Sequence, residues 1–210
     1  MHTHRFAQRS DAPNSFTPDA LLAQMTLDGD QQAFEMLVRR YSTSLFNFIY
    51  RFLGDYDQSC DILQLVSLRF YTSLPRLGTR EPFKPWLFRV ARNCCVDELR
   101  RRRRCAIHFS QLEAENAEGD VLCLADMPDP GMLPEELMES QDLQQLLQQT
   151  IQSLPPKFRS VVLLRYISQL SFAEIGKTLG MPEATAKTYF HRAKMLLRRL
   201  LSAQMHLISA

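Results

Sequence analysis

The chain has 210 residues, of which 45% are hydrophobic, and its formal net charge is +2. This length suits one large or two small globular domains, and no apolar run approaches the roughly 18 residues of a membrane span. The N-terminus lacks the hydrophobic core of a secretion signal, so we expect a cytoplasmic protein without membrane insertion.

The cysteines argue against both a metal site and a disulfide framework. The five cysteines are Cys60, Cys94, Cys95, Cys105 and Cys123. They include one adjacent pair and no C-x-x-C spacing. This pattern favours reduced, structural thiols. We therefore expect no metal site. The sequence also predicts no other cofactor and no small-molecule substrate.

Charge is strongly segregated along the chain. Residues 1–104 hold 16 Lys/Arg against 11 Asp/Glu, residues 105–156 hold none against 10, and residues 157–210 hold nine against two. Two cationic bodies joined by an anionic connector indicate two contacts with one polyanion.

Helical periodicity dominates the first half of the chain. Residues 1–17 are polar and turn-rich, which predicts a disordered N-terminus. The pattern then predicts helices over about 19–27, from about residue 31 to Leu53, over about 57–73 and over about 83–103, with Asp28-Gly29-Asp30 as the first turn. No strand pattern competes with these helices.

The fourth predicted helix combines aromatic and cationic side chains. Phe83, Trp86 and Phe88 lie near Lys84, Arg89 and Arg92 in sequence, a mixture suited to stacking on unpaired bases and binding a phosphate backbone. Burial is the alternative reading for the aromatic residues, and for Phe88 it is the favoured one. The five arginines at 100–104 that follow are either a phosphate-binding run or a solvated charge run.

Residues 105–134 form the predicted acidic linker, which contains four Pro and Gly residues near its end and no Lys or Arg. Its acids either mimic nucleic acid and fold back on the basic surfaces, or simply keep a flexible tether soluble. Those acids are Glu113, Glu115, Glu118, Asp120, Asp126 and Asp129.

The segment from Leu170 to Arg199 predicts a helix-turn-helix. Ser171 and Glu174 have the spacing of a capping box, and Gly180-Met181-Pro182 ends the short helix that they start. In the second helix an apolar stripe opposes a basic arc. The stripe is Ala186, Phe190, Ala193 and Leu197, and the arc is Lys187, His191, Lys194 and Arg198, flanked by Ala184, Thr188 and Arg192. Such an arc suits a major groove, although an ordinary helical hairpin with a solvated basic face is the alternative.

Three segments together resemble a known family. The segments are DILQLVSLRFYTSLPRL, FKPWLFRVARNCCVDELRRRRR and LPPKFRSVVLLRYISQLSFAEIGKTLGMPEATAKTYFHRAKMLLRRL. They are similar to bacterial RNA polymerase sigma factors of the sigma-70 family, most closely to those of the extracytoplasmic-function (ECF) group. The resemblance spans about residues 32–200. It implies an all-α protein of two small helical domains joined by a flexible acidic linker: sigma region 2 over 18–104, the linker over 105–134, region 4 with the helix-turn-helix over 135–203, and a tail over 204–210.

The resemblance also implies roles for particular residues. The clamp of the polymerase core would contact the third helix through Asp61, Gln64, Leu65 and Leu68. The −10 promoter element would be read and melted by Arg80, Lys84, Trp86, Arg89, Arg92, Asn93, Arg100, Arg101 and Arg103, although Asp97 and Arg100 have the spacing of a structural pair. The −35 element would contact Ala184, Lys187, Thr188, His191, Arg192, Lys194 and Arg198. The implied partners are the polymerase clamp and flap, promoter DNA and an anti-sigma factor.

Three positions depart from the family pattern: Leu65 stands where an acidic residue is usual, Ser67 lies near where an aromatic residue is common, and Tyr189 stands where arginine is usual. Two other classes of function are alternatives. A stand-alone helix-turn-helix regulator would leave the arginine run and the second cationic domain unexplained. A DNA-processing enzyme such as a recombinase needs a catalytic constellation that the sequence does not display, so we do not expect an enzyme.

Overall fold

The computed structural model describes the backbone of residues 17–78, 82–110 and 134–208, and the side chains of 17–78, 82–104 and 144–202. These ranges contain eight α-helices and no strand. The all-α prediction is therefore confirmed. No helix in the described ranges is long and apolar enough to cross a membrane. The first sixteen residues and residues 111–133, which include the predicted linker acids, lie outside the description.

Four helices form the N-terminal domain: α1 (Asp19–Leu27), α2 (Gln31–Leu53), α3 (Tyr56–Leu77) and α4 (Phe83–Ser110). Asp30 and Asp55 start α2 and α3, because each carboxylate accepts hydrogen bonds from backbone amides in the first turn. Arg40 donates to the Thr17 carbonyl at 2.7 Å, so the last residue of the segment predicted to be disordered is tied to α2.

Two of these helices run past their predicted ends. α3 continues four residues beyond Ser73, through Pro75, to Leu77. Leu74 is buried and Leu77 packs against the core, and these contacts stabilise the additional turn. α4 continues to Ser110, so its last six residues fall within the predicted linker. Residues 104–110 contain neither glycine nor proline, and nothing in the local sequence stops the helix there.

The C-terminal domain comprises α5 (Pro134–Ser153), α6 (Pro156–Tyr166), α7 (Phe172–Leu179) and α8 (Glu183–Ile208). The predicted capping box is present at the start of α7, and Gly180 ends that helix in the left-handed conformation. α8 extends five residues past 203, into the segment predicted as the tail. The predicted helix-turn-helix is thus α7 and α8, with α5 and α6 packed behind α8.

The two domains pack directly against each other. α4 contacts α6 and α7, and α2 contacts α5 and α6. As a result, one continuous set of buried side chains runs from Leu22 in α1 to Ala186 in α8. The sequence predicts two small helical domains, and it gives no sign of this shared core.

Candidate nucleic-acid interface

The basic arc of α8 faces solvent along its length. Its inner stripe is built around Ala186 and Ala193, both fully buried, while Phe190 and Leu197 are half-buried against the core. The small alanines let α8 lie close to its neighbours, and this fixes which face points outward. The exposed residues include all seven predicted for the −35 element: Ala184, Lys187, Thr188, His191, Arg192, Lys194 and Arg198.

Local contacts leave this surface available to a partner. Lys187 pairs with Glu183 one turn earlier at 2.7 Å, and both side chains are about half exposed. An exposed pair of this kind contributes little and exchanges easily for a phosphate. The Thr188 hydroxyl donates to the Ala184 carbonyl at 2.9 Å within α8, and the Thr188 side chain is exposed beside the arc.

Aromatic packing positions α8 relative to α7. Phe172 meets Phe190 edge to face with ring centres 5.4 Å apart, and the Arg165 guanidinium lies over the Phe172 ring. Arg165 also donates to the Leu170 carbonyl at 2.9 Å, which holds the turn before α7. Hydrogen bonds from Ser171 hold the pKa of Glu174 below its usual range, because the ionised carboxylate is the form that caps the helix.

A second candidate surface lies on α3. Asp61, Gln64, Leu65 and Leu68, the four predicted core-binding residues, are all exposed on one side of the helix. The opposite side is buried, through Ile62, Val66, Phe70 and Leu74. An exposed apolar stripe beside polar residues is typical of a protein-binding surface.

Sequence reasoning missed Tyr71, which extends the α3 stripe. Its ring is 55% exposed, next to Leu68 at 60% and Leu65 at 38%. Phe34 from α2 supports the ring edge to face, with centres 5.0 Å apart. The spacing could have shown this, because Tyr71 lies three residues after Leu68 and seven after Gln64.

The aromatic residues of α4 divide into core and surface. Phe83 and Phe88 are buried, as the favoured reading for Phe88 predicts. Trp86 is half-buried, with its ring 6.0 Å from that of Phe70. Asn93 is exposed and accepts a hydrogen bond from Arg92 at 3.1 Å. Trp86 therefore combines a packed side with a solvent-facing side, as a base-stacking platform requires.

Two cations of α4 meet the C-terminal domain. Arg89 donates to the Lys177 carbonyl in the last turn of α7 at 2.8 Å, and Arg92 approaches the Ser160 hydroxyl of α6 at 3.4 Å. Burial, followed by the nearby charge of Arg100, lowers the pKa of Arg92. Both guanidinium groups therefore contact the C-terminal domain, while Arg89 remains exposed and Arg92 is half-buried. Arg80, also predicted for the −10 element, lies outside the described residues.

The five arginines at 100–104 differ in their contacts. Arg100 pairs with Asp97 at 3.3 Å, which confirms the predicted structural pair, and Arg101 makes a bidentate pair with Glu98. The hydrogen bonds from Arg101 lower the pKa of Glu98, and a further hydrogen bond from Arg102 adds to this effect.

Arg102, in contrast, reaches back to the start of α3. It bonds to Asp55 at 3.1 Å and to Gln58 at 2.6 Å, so it fastens α4 to that helix. The exposed Arg103 and Arg104 join Asp97 and Arg100 around a shallow surface cavity of about 500 Å³. The run thus includes residues that hold the fold as well as residues that face solvent.

Comparison with known proteins identifies the family. Residues 37–105 match the family described as Sigma-70 region 2, and residues 144–197 match Sigma-70, region 4. The chain is 35% identical over 173 residues to the ECF RNA polymerase sigma factor SigW of Bacillus subtilis (strain 168). This alignment covers 82% of this chain and 91% of SigW. The chain belongs to the ECF group of the sigma-70 family.

Further relatives agree with this membership. The ECF RNA polymerase sigma-E factor of Escherichia coli (strain K12) is 31% identical over 178 residues, 84% of this chain and 90% of that protein. Among solved structures, CnrH in complex with the cytosolic domain of CnrY matches with a TM-score of 0.63 and 23% identity over 88% of this chain and 97% of CnrH. The sigma factor RpoE in complex with the anti-sigma factor NepR from Bartonella quintana gives a TM-score of 0.62 at 20% identity, over 80% of this chain and 96% of RpoE. The ECF fold therefore extends over both domains of this sigma factor.

Proposed function

We propose that this sigma factor divides its work among three surfaces: α3 binds the polymerase core, α4 binds and melts the −10 element, and α8 reads the −35 element. Sigma factors bind RNA polymerase core and direct it to promoters, and members of the family are initiation factors rather than enzymes. The assignment of particular residues to these steps is the proposal. It places the protein in the cytoplasm, where polymerase and promoter DNA meet.

The arrangement of α8 carries the proposal. One face of this helix is fixed by buried alanines, while the opposite face presents four basic or titratable side chains to solvent. The second helix of a helix-turn-helix enters the major groove with such a face. We assign base contacts to Lys187 and His191, near the N-terminal end of α8, and backbone contacts to Lys194 and Arg198 further along.

The exposed stripe of α3 supports polymerase docking. Three large apolar side chains, Leu65, Leu68 and Tyr71, lie exposed beside Asp61 and Gln64. The apolar side chains would supply the buried contact area, and the polar pair would set the register of the complex. With Leu65 in place of the usual acidic residue, this clamp contact gains apolar area at the expense of charge.

The mixed surface of α4 supports promoter melting. Separating two DNA strands requires a site that holds an unpaired base and neutralises its phosphate. Trp86 offers the stacking surface, while Lys84, Arg89 and Arg92 offer the charge. Arg101 and Arg103 extend the cationic track toward the end of the helix. Arg100 lies on the same track and must exchange its exposed pair with Asp97 for phosphate, which costs little, and Arg101 must likewise exchange its pair with Glu98.

Protein partners of the anti-sigma type are also proposed. Two solved structures with this fold contain a bound protein: CnrH is in complex with the cytosolic domain of CnrY, and RpoE is in complex with the anti-sigma factor NepR. An exposed apolar stripe such as that of α3 would suit a partner that competes with polymerase. The same residues would then serve both complexes.

The test uses the double variant Lys187→Ala/His191→Ala in transcription with purified core polymerase and a cognate promoter. Loss of base contacts worth 1 to 3 kcal/mol predicts roughly 5- to 150-fold less transcript at limiting sigma factor. Lys194→Ala, which removes an assigned backbone contact, should instead lower the log-log salt slope of promoter binding by about one.

The matched control is Arg39→Ala/Arg199→Ala, which truncates two exposed cations outside the assigned positions. It should retain most of the activity. A Lys187→Ala/His191→Ala variant that transcribes as well as this control would remove α8 from promoter reading.

A further inference from the structure

A cation from α6 lies at the edge of α8. The Lys157 ammonium is 5.1 Å from the centre of the Phe158 ring and 5.6 Å from the centre of the Tyr189 ring, which belongs to α8. We propose that Lys157 is a further contact with the promoter backbone, on the opposite flank of α8 from Lys194, and that Tyr189 is its positioning residue. This assignment rests on the function proposed for α8 and extends that function to α6.

Phe158 and Tyr189 together support the Lys157 ammonium. Their rings meet edge to face with centres 5.4 Å apart, and Phe158 is buried while Tyr189 is half-buried. The face of an aromatic ring attracts a cation, and two neighbouring rings restrict where the ammonium can lie. Lys157 itself is exposed, so its charge is held in place but remains accessible to a partner.

The charge of Lys157 is not neutralised by a neighbouring acid. No ion pair joins Lys157 to a carboxylate within the part of the chain that the structure describes. Residues 157–210 contain two acids, and both are engaged elsewhere: Glu174 in its capping box and Glu183 with Lys187. An exposed cation without an acidic partner is free to bind a phosphate.

Arg159, two positions further along α6, has a different role. Its side chain is buried and donates to the Phe52 carbonyl at 2.5 Å and to the Leu154 carbonyl at 3.1 Å. These bonds to helix-end carbonyls make Arg159 a structural residue. Lys157 makes no such bond in the described structure and presents its charge to solvent. The two cations of α6 therefore divide between the fold and a partner.

The position of Tyr189 places the Lys157 charge on the flank of α8 that the basic arc does not cover. At 3.6 residues per turn, the arc spans about 60° on one side of the exposed face. On the other side, Tyr189 lies about 60° beyond the exposed Arg192. A helix in a major groove about 12 Å wide has a phosphate backbone on each side. The basic arc meets one backbone, and Lys157 and Arg192 meet the other.

The arc's own flank of α8 uses the same arrangement. The Lys194 ammonium lies 5.9 Å from the centre of the half-buried Phe190 ring. Each flank thus has an ammonium over a ring that packs against the core. A side chain that is already held in place loses less conformational entropy when it binds a phosphate.

This placement also accounts for the absence of the arginine that is usual at position 189. An arginine there would carry positive charge on this flank of α8. The Tyr189 ring carries none, but it holds the Lys157 ammonium in the same region. In this chain the positive charge of the flank has moved from α8 to α6.

The salt dependence of promoter binding by the assembled holoenzyme tests the contact. Lys157→Gln should lower the log-log salt slope by about one, so raising the salt from about 50 to about 200 mM should cost about 3.5-fold less affinity than in wild type. Lys157→Gln/Tyr189→Arg should restore the slope, because the arginine returns a charge to this flank. Lys177→Gln is the matched control, since it removes the same charge from an exposed position of α7. It should keep the wild-type slope.

A double-mutant cycle tests the positioning role of Tyr189. Tyr189→Leu should weaken promoter binding about two- to fivefold, the range for a cation–π contact at an exposed site, and Tyr189→Phe should not. In the Lys157→Gln background, Tyr189→Leu should have no further effect, because the residue that it positions is gone. Circular dichroism and thermal unfolding of each variant check that α6 and α8 stay folded.

The outcomes separate this inference from the function proposed for α8. Wild-type binding by Lys187→Ala/His191→Ala would overturn the proposed function itself. If that variant loses promoter binding while Lys157→Gln keeps the wild-type slope, α8 reads the promoter without Lys157 and the inference is overturned. Equal falls in slope for Lys157→Gln and Lys177→Gln would assign the effect to total charge and overturn it too. A full Tyr189→Leu penalty in the absence of Lys157 would overturn the positioning role.

Discussion

At the scale of single residues, chemistry that the sequence displays locally was predictable, and chemistry that depends on tertiary contacts was not. Ser171 and Glu174 form their capping box as expected, because both partners lie within one turn. Tyr189 could not be interpreted from sequence. Its half-buried ring packs edge to face on Phe158 at 5.4 Å, below the Lys157 ammonium, so a packing residue replaces the arginine usual in the family.

Arg159 shows the same limit more sharply. In the sequence it is one cation among several near the start of α6, and charged residues are rarely buried. Its position becomes intelligible only when the C-termini of α2 and α5 lie beside it. No pattern within one segment reports that meeting of helices.

The capping box gives a residue-scale prediction. Glu174→Ala should lower the free energy of unfolding by about 1 kcal/mol at pH 7, as loss of a helix cap does. Because the folded pKa of Glu174 is lowered, its contribution is present above the unfolded value near 4.5 and disappears as the pH falls through the folded pKa. Urea unfolding in steps from pH 7 to pH 3 should show the mutational penalty shrinking.

The exposed Glu35→Gln serves as a reference for that titration. It should change stability little at any pH in the series. If the Glu174→Ala penalty stayed constant from pH 7 to pH 3, the ionised carboxylate would not be the stabilising form.

At the scale of elements, periodicity predicted the existence of the helices and the faces of α3 and α8. α1 has the predicted bounds, and the apolar stripe of α8 is buried or half-buried as expected. The ends of α3 and α4 were wrong by several residues. Local breakers alone do not decide a helix end when packing continues past a proline or when no breaker is present.

The apolar stripe on α3 gives the prediction at this scale. Leu65→Ser/Leu68→Ser should weaken binding to polymerase core by at least tenfold, since truncation of central apolar contacts at an interface costs 1 to 2 kcal/mol each. Both side chains are exposed in the free chain, so its thermal stability should change little. A core-binding titration by fluorescence anisotropy gives the affinity.

Leu21→Ser/Leu27→Ser is the matched control, because it removes two exposed leucines from α1. This control should bind core normally. Equal affinities for the two double variants would exclude the α3 leucines from the interface. Loss of affinity in Asp61→Ala/Gln64→Ala alone would then assign the contact to the polar pair.

At the scale of the whole molecule, the sequence established the all-helical class and the two basic bodies but not their contact. Charge segregation along the chain predicted two nucleic-acid surfaces, and the described helices carry a cationic surface in each domain. That the domains share one core, with α4 turned toward α6 and α7, follows from side chains far apart in sequence. A single sequence contains no signal that pairs Arg89 with Lys177 or Arg159 with Phe52.

We propose that these surfaces act on promoter DNA only together with polymerase core. The most direct measurement is a footprint of the chain on a cognate promoter with and without purified core. We expect protection at two separated elements and strand opening at the downstream one when core is present, and no sequence-specific protection by the chain alone. Stable, sequence-specific protection of duplex DNA by the free chain, unchanged by core, would contradict this account and indicate a stand-alone helix-turn-helix regulator.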